Sequence, residues 1–111
     1  MSDEIKIFKV LDFLRDASPR YAKAKAERVY LDEWRKSKKA ILMQSSGSKT
    51  SAAQEVDAYA HPEYLEVLNA LKIAVEEEEK LRWQLIAAQA RCEVFRTLQA
   101  NNRFESKTLG G

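Results

Sequence analysis

The sequence predicts an all-α protein built as a long helical hairpin with coiled-coil-like packing. The 111 residues include only three glycines, two of them at the C-terminal end, and two prolines, and this scarcity favours long helices over strands and turns. Apolar residues recur at steps of three and four, the spacing of one helix face. The only turn-rich cluster inside the chain, at 45–50, marks the bend. Residues 1–111 should form a single helical domain.

The first predicted element is an apolar helix at 1–18. Its apolar residues between Ile5 and Leu14 would cover most of the helix circumference, so we expect it to lie between other elements or against another subunit. Ser18 and Pro19 then predict a new helix start, because serine is a favoured N-cap and proline costs no hydrogen bond in the first turn. The second helix, which is basic, is predicted to span 19–44.

This basic helix carries two neighbouring apolar stripes. The first comprises Ala22, Ala26, Val29, Tyr30, Ala40 and Ile41, and the second Leu31, Trp34, Lys38 and Leu42. Two stripes predict a buried face that is wide or is shared between two partners. We expect the half before Glu33, which holds most of the first stripe, to lie inside the bundle.

After the turn at 45–50, a long helix is predicted for 51–104, acidic at first and apolar later. Pro62 should break it near 61–62, because proline disfavours helical geometry at the residue before it and lacks an N–H. Residues 105–111 are predicted to form a flexible tail. A coiled-coil-like seam is expected along this helix at Tyr64, Leu68, Leu71, Val75, Leu81, Leu85, Ala88, Cys92 and Phe95.

Four consecutive carboxylates, Glu76–Glu79, interrupt the seam. Successive helical side chains point about 100° apart, so the four carboxylates spread around the helix and cannot converge on one cation. One of them must therefore face the seam. We expect it to meet a Lys or Arg of the basic helix or of another subunit.

The helix lengths predict self-association. At ~1.5 Å per residue the basic helix is about 37 Å long and the long helix about 63 Å, so the end of the long helix should extend past its partner. Only the shorter helix 1–18 would remain to cover it, and large uncovered apolar patches are rare on monomers. The predicted homo-oligomer contacts are Leu81, Leu85, Ala88, Cys92, Phe95 and Leu98.

No catalytic residue, metal ligand set or cofactor site is predicted, so we do not expect an enzyme. His61 is the only histidine and Cys92 the only cysteine, which leaves neither a transition-metal site nor an internal disulfide. Gly47-Ser-Lys-Thr50 lacks the earlier glycine and the preceding strand of a phosphate-binding loop.

No apolar run in the sequence reaches the ~18 residues of a membrane span. The N-terminus also lacks the length and the cleavage site of a signal peptide. We therefore expect no membrane association and a cytoplasmic location.

Charge is segregated along the chain, although its net value is only +2. Residues 19–44 sum to +5 and residues 51–81 to −6. The cations of the basic helix could neutralise phosphates while an aromatic stacks on an unpaired base. In the competing interpretation the cations pair with the acidic stretch 55–79 and the aromatics are core.

Both interpretations can hold together, because four cations within five positions span several faces of the helix. A single acidic helix cannot reach them all, so some should face solvent next to the bend. The predicted nucleic-acid contacts are Arg28, Trp34, Arg35, Lys36, Lys38, Lys39 and Lys49.

A resemblance adds to this interpretation. The run Tyr30…Trp34-Arg-Lys-Ser-Lys-Lys39…Leu42-Met43, followed by Val56-Asp-Ala-Tyr59 and a long apolar helix, resembles phage recombination proteins and, more distantly, the UvsY recombination mediator family of T-even-type phages. The resemblance implies an oligomeric, helical accessory protein that binds single-stranded DNA, helps to load a recombinase and displaces single-strand-binding protein. It also implies DNA contacts at Trp34, Lys36, Lys38 and Lys39, and a host-cell cytoplasmic location.

The sequence leaves a second function class open. A helical protein-interaction module without nucleic-acid binding, such as an inhibitor or adaptor of a host nuclease or replication protein, would use Glu76–Glu79 or the C-terminal helix as its contact. The protein partners expected from the sequence, beside single-stranded DNA and further copies of the chain, are a phage or host recombinase, an annealing protein or a nuclease.

Overall fold

A computed structural model of the chain describes residues 2–110, with side chains for 4–108. These residues form three helices, α1 (Ser2–Gln44), α2 (Ser51–Ala60) and α3 (Pro62–Gly110), and no strand. The turn at 45–50 joins α1 to α2. The predicted all-α helical hairpin is confirmed.

The predicted boundary between helices at 18 and 19 is wrong, because α1 runs through Pro19 without a break. An interior proline removes one helix hydrogen bond and costs about 3 kcal/mol. The Ser18 hydroxyl donates a hydrogen bond to the Leu14 carbonyl instead of capping a new helix. Ala17, two residues before the proline, and Ala24, five residues after it, are buried, so packing on both sides of the proline offsets its cost.

The break near 61–62 is confirmed, since α2 ends at Ala60 and α3 begins at Pro62. His61 has extended backbone angles, as expected before a proline. The predicted tail at 105–111 is wrong for its described part, because α3 continues past Phe104 to Gly110. No proline or turn cluster interrupts 105–109, so nothing in the local sequence ends the helix there. Residue 111 lies outside the described residues.

A strict 3.5-residue repeat defines the face that each long helix buries. On α1 the buried and half-buried positions of this repeat are Ile7, Val10, Leu14, Ala17, Tyr21, Ala24, Arg28, Leu31, Arg35, Lys38 and Leu42. On α3 they are Tyr64, Val67, Leu71, Ala74, Glu78, Leu81, Leu85, Ala88, Cys92, Phe95 and Gln99. A repeat of this period keeps one seam facing its partner along the whole helix.

The observed seam differs from the sequence prediction on both long helices. On α1 the second stripe faces α3, while the first stripe, expected inside the bundle, is exposed. On α3 the seam uses Val67 and Ala74 in place of the predicted Leu68 and Val75, which are exposed. Apolar residues are adjacent at both positions, so a step of three or four fits the sequence equally well.

The chain divides into two compact units. The bend unit contains residues 22–79, and the terminal unit contains residues 2–21 and 80–110. In the bend unit α1 lies antiparallel to α2 and the start of α3, as the contacts of Lys39 with Glu55 and of Arg28 with Glu78 show. In the terminal unit the start of α1 lies along the end of α3.

Candidate nucleic-acid interface

The bend unit, which holds all the predicted nucleic-acid contacts, is anchored by a small core next to the turn. Leu42, Ala58 and Tyr64 are buried together, and the Tyr59 ring meets Tyr64 edge-on, with centroids 5.3 Å apart. Thr50 caps α2, as its Oγ1 accepts a 3.1 Å hydrogen bond from the Ala53 amide. These contacts fix where α1 ends and α2 begins.

The turn itself is closed by a carboxylate. Asp57 accepts hydrogen bonds of 2.6 Å from the hydroxyls of Ser46 and Ser48. These bonds favour the ionised form and lower the pKa of Asp57. Ser46 also accepts a bond from the Ser48 amide, so the three side chains order the bend.

Arg28 is held inside the hairpin. Its Nε donates to Glu78 Oε2 at 2.6 Å and its Nη2 to Oε1 at 3.0 Å, a two-pronged pair. The Glu78 side chain is only 8% exposed. The structure therefore bears out the expectation that one of the four carboxylates meets a cation of the basic helix. Because this pair holds Arg28 against α3, Arg28 is not one of the cations that face solvent.

Lys38 and Lys39 also reach across to the acidic side. The Lys38 Nζ lies 3.2 Å from Glu63 Oε2, and the Lys39 Nζ lies 3.1 Å from Glu55 Oε1. Lys39 is also 4.6 Å from the centroid of the Tyr59 ring. Hydrogen bonding to Tyr59, and then to Glu55, raises the pKa of Lys39.

Arg35 and Lys36 pair within α1. The Arg35 Nη2 lies 3.2 Å from Asp32 Oδ1, and the Lys36 Nζ lies 3.2 Å from Glu33 Oε1, both at i,i+3 spacing. Hydrogen bonding to Tyr64, and then to Asp32, raises the pKa of Arg35. Lys36 and Glu33 are both mostly exposed, so their pair contributes little to stability.

Trp34 and Lys49 complete the predicted set. Trp34 is half-buried and lines a cavity of about 300 Å³ with Lys38 and Glu63. Lys49 is exposed in the turn and has no ion-pair partner within residues 4–108. Arg28, Lys38 and Lys39 thus pair with the acidic stretch, and Lys36 and Lys49 are exposed to solvent. Nucleic-acid binding by these residues stays a prediction.

The predicted oligomer contacts lie in the terminal unit, mostly on the intramolecular seam. Leu81 and Ala88 are buried, and Leu85, Cys92 and Phe95 are half-buried. The helix at 1–18 was expected to be too short to cover them, but the start of α1, within residues 2–21, lies along this part of α3 and covers them. Of the six predicted contacts only Leu98 is exposed.

Sequence reasoning did not separate a second apolar surface on the terminal unit. Ile5, Phe8 and Leu11 are exposed on α1, on the side away from the seam. The sequence signal for this surface was that apolar residues cover most of the helix circumference. The spacing of the seam shows which side of the helix remains uncovered.

Neither a metal site nor a membrane span is found in the part of the chain that the structure describes. No three His, Cys, Asp or Glu side chains are grouped there to hold a metal ion. No helix there combines the length and the apolar character needed to cross a membrane.

Comparison with known proteins gives no relative for this chain: no family model, no curated protein and no solved structure matches it.

Proposed function

We propose that this chain is a phage recombination accessory protein of the host-cell cytoplasm, which self-associates, binds single-stranded DNA and presents it to a recombinase or annealing protein. Its mechanism is non-enzymatic. Phosphates bind to cations beside the bend, and Trp34 provides a surface on which a base can stack.

The observation that carries the proposal is the kind of ion pairs these cations make. Lys36, Lys38 and Lys39 each pair with a carboxylate that is 46–67% exposed. Such pairs are worth about 0.2–1 kcal/mol, so a phosphate can replace the carboxylate at little cost. Lys49, in the turn, adds a cation that needs no exchange.

A salt-titrated binding assay with labelled single- and double-stranded oligonucleotides tests the proposal. We expect single-strand affinity to fall with salt, with a log–log slope of about −0.7 for each phosphate neutralised. The variant Lys36→Glu/Lys38→Glu/Lys39→Glu should lose most of this affinity. Its matched control, Lys23→Glu/Lys25→Glu/Lys72→Glu, makes the same charge change at exposed lysines of the same unit and should bind more tightly than the test variant.

Lys38 and Lys39 also stabilise the hairpin, so circular dichroism must first show that the variant is folded. A second variant, Lys36→Gln/Lys49→Gln, leaves every cross-helix ion pair intact and should still weaken binding. Unchanged affinity in both variants would refute the site.

One observation favours a second candidate function, a helical protein-interaction module. Arg28, Lys38 and Lys39 form ion pairs with carboxylates of the same chain, as a purely structural role would require. Under this alternative the protein inhibits or adapts a host nuclease or replication protein. No detectable oligonucleotide binding at low salt is the result that selects it.

A further inference from the structure

The two units carry opposite net charges. The terminal unit has ten basic and six acidic residues, a net charge of +4, and the bend unit has nine basic and eleven acidic residues, a net charge of −2. Most cations beside the bend are paired within their own unit. The excess positive charge of the molecule therefore lies on the terminal unit.

An apolar groove opens on the terminal unit between α1 and α3. Its volume is about 980 Å³, and Val10, Phe13 and Phe95 form part of its apolar lining. Lys6, Lys9 and Arg91 also line it, and no acidic residue of the described chain does. From Gln84 to Asn102 the groove follows α3 for about 28 Å at ~1.5 Å per residue. It is thus long enough to accept five turns of another helix.

The bend unit carries a matching ridge on the outer face of α3. Leu65 and Ile73 are 52% and 59% exposed, and Glu76 and Glu77 follow Ile73 by three and four residues, on the same face. Asn69 and Lys72 lie on this face between Leu65 and Glu76, and the face becomes acidic at Glu76 and Glu77. Its two exposed apolar residues and its two carboxylates complement the apolar lining and the cations of the groove.

We propose that the ridge of one copy docks into the groove of a second copy. Leu65 and Ile73 enter the apolar groove, while Glu76 and Glu77 meet its cations. Pairing of two grooves would bring like charges together and is disfavoured, whereas groove and ridge have opposite charge. A nucleic acid would satisfy the cations but leave the apolar lining uncovered.

The contact is heterologous, since it joins different surfaces of two identical chains. Each copy added leaves one groove and one ridge open, so the assembly closes into a ring or extends as a filament. The groove is lined by 15 residues, fewer than the 20–30 per side of a standard interface. We therefore expect association in the micromolar range that weakens with salt.

The inference rests on the self-association that the proposed function includes, and its assay contains no DNA. Failure of docking and failure of DNA binding are therefore distinguishable. The mass of the full chain is measured by light scattering after size-exclusion chromatography, loaded at about 10–200 µM and at low salt, in the concentration range expected of this interface.

Two charge-reversal variants test the pairing. Lys9→Glu/Arg91→Glu gives an acidic groove facing an acidic ridge, and Glu76→Lys/Glu77→Lys gives a basic ridge facing a basic groove. Each variant alone should remain monomeric at concentrations where the wild type associates. Mixed in equal amounts they should associate again, because each groove then meets an oppositely charged ridge. The matched control Arg20→Glu/Lys107→Glu, at exposed positions outside the groove, should associate like the wild type.

Three results would overturn the inference. The first is a wild-type monomer across the whole concentration range. The second is association that survives both reversals, which would indicate another surface, such as Ile5, Phe8 and Leu11. The third is a ridge variant that associates like the wild type, which would show that the ridge is not what the groove binds.

Discussion

At the scale of single residues, the pair formed by Arg28 and Glu78 stands out because it occupies an otherwise largely apolar stretch of the seam. A buried ion pair gives little net stability, since desolvation offsets its attraction. Removing Arg28, by contrast, takes a two-pronged hydrogen-bond partner away from a buried carboxylate. The two partners differ in this respect, because the Arg28 side chain is 32% exposed and the Glu78 side chain 8%.

The difference in exposure predicts an asymmetric effect of substitution. Arg28→Met leaves the carboxylate buried and should lower the free energy of unfolding by about 3 kcal/mol or more. Glu78→Gln leaves an arginine that can reach water, so its cost should be about 1–2 kcal/mol. Urea denaturation measures both.

Glu76→Gln, at an exposed neighbour, is the control and should change the unfolding free energy by less than about 0.5 kcal/mol. Equal costs for Arg28→Met and Glu78→Gln would contradict this account of the pair.

Asp57 offers a test of the turn. Its pKa is lowered by hydrogen bonds from Ser46 and Ser48, so its ionised form stabilises the folded turn. That contribution is present above the unfolded-state pKa of ~3.9 and is lost as the pH falls through the lower folded-state value. In Ser46→Ala/Ser48→Ala, carboxyl NMR titration should give a higher pKa for Asp57. An unchanged titration would show that the hydroxyls do not hold the carboxylate.

At the scale of elements, some helix boundaries could be predicted from the sequence and others could not. The turn at 45–50 and the break before Pro62 follow from local chemistry, and both are found. The passage of α1 through Pro19 depends on packing against α3, some sixty residues further along the chain. Local preference favours a boundary there, and tertiary contacts override it.

Pro19 therefore makes the folded protein less stable than another residue at this position would. Pro19→Ala restores an N–H to the helix interior and removes a ring clash, so the free energy of unfolding should rise by up to about 3 kcal/mol. Thermal denaturation followed by circular dichroism measures the change. A matched Ala→Pro change at exposed Ala26 should destabilise by a similar amount. A destabilised Pro19→Ala would mean that α1 needs a bend there.

The choice between the two stripes of α1 could not be made from apolar spacing alone. Both have helical spacing, and the partner helix decides between them. The second stripe shares its face with Arg28, Lys38 and Lys39, which pair with the acidic side. Charge complementarity and apolar spacing together would have identified the buried face. For the candidate site, the sequence predicted that some cations pair with the acidic stretch while others face solvent. It did not predict which carboxylate each cation contacts.

At the scale of the whole molecule, the seam differs in character between the units. In the bend unit it includes Arg28, Arg35, Lys38 and Glu78, while in the terminal unit its only strongly polar member is Gln99. Ion pairs are screened by salt and apolar burial is not. The two units should therefore respond differently to the same change of solvent.

Hydrogen exchange can measure this difference. Raising NaCl from about 0.05 to 1 M, which shortens the screening length from over 10 Å to about 3 Å, should speed amide exchange in 22–44 more than in 4–21. Arg28→Leu/Glu78→Leu, which replaces the central pair by apolar side chains, should reduce that sensitivity. Equal acceleration in both stretches would refute an electrostatic hold on the bend unit.

The spacing of the ion pairs along the chain has a consequence for how the protein folds. The contact of Lys39 with Glu55 spans 16 residues and that of Arg28 with Glu78 spans 50. Loop closure favours the shorter span by about 1 kcal/mol, so the hairpin should close from its bend outwards. A helix pairing one turn out of register would place Glu78 opposite Ala24 or Leu31. A hairpin in the wrong register would therefore lose the Arg28–Glu78 ion pair when only half of the seam has formed. This loss disfavours the wrong register before the apolar residues of the terminal unit pack and stabilise it.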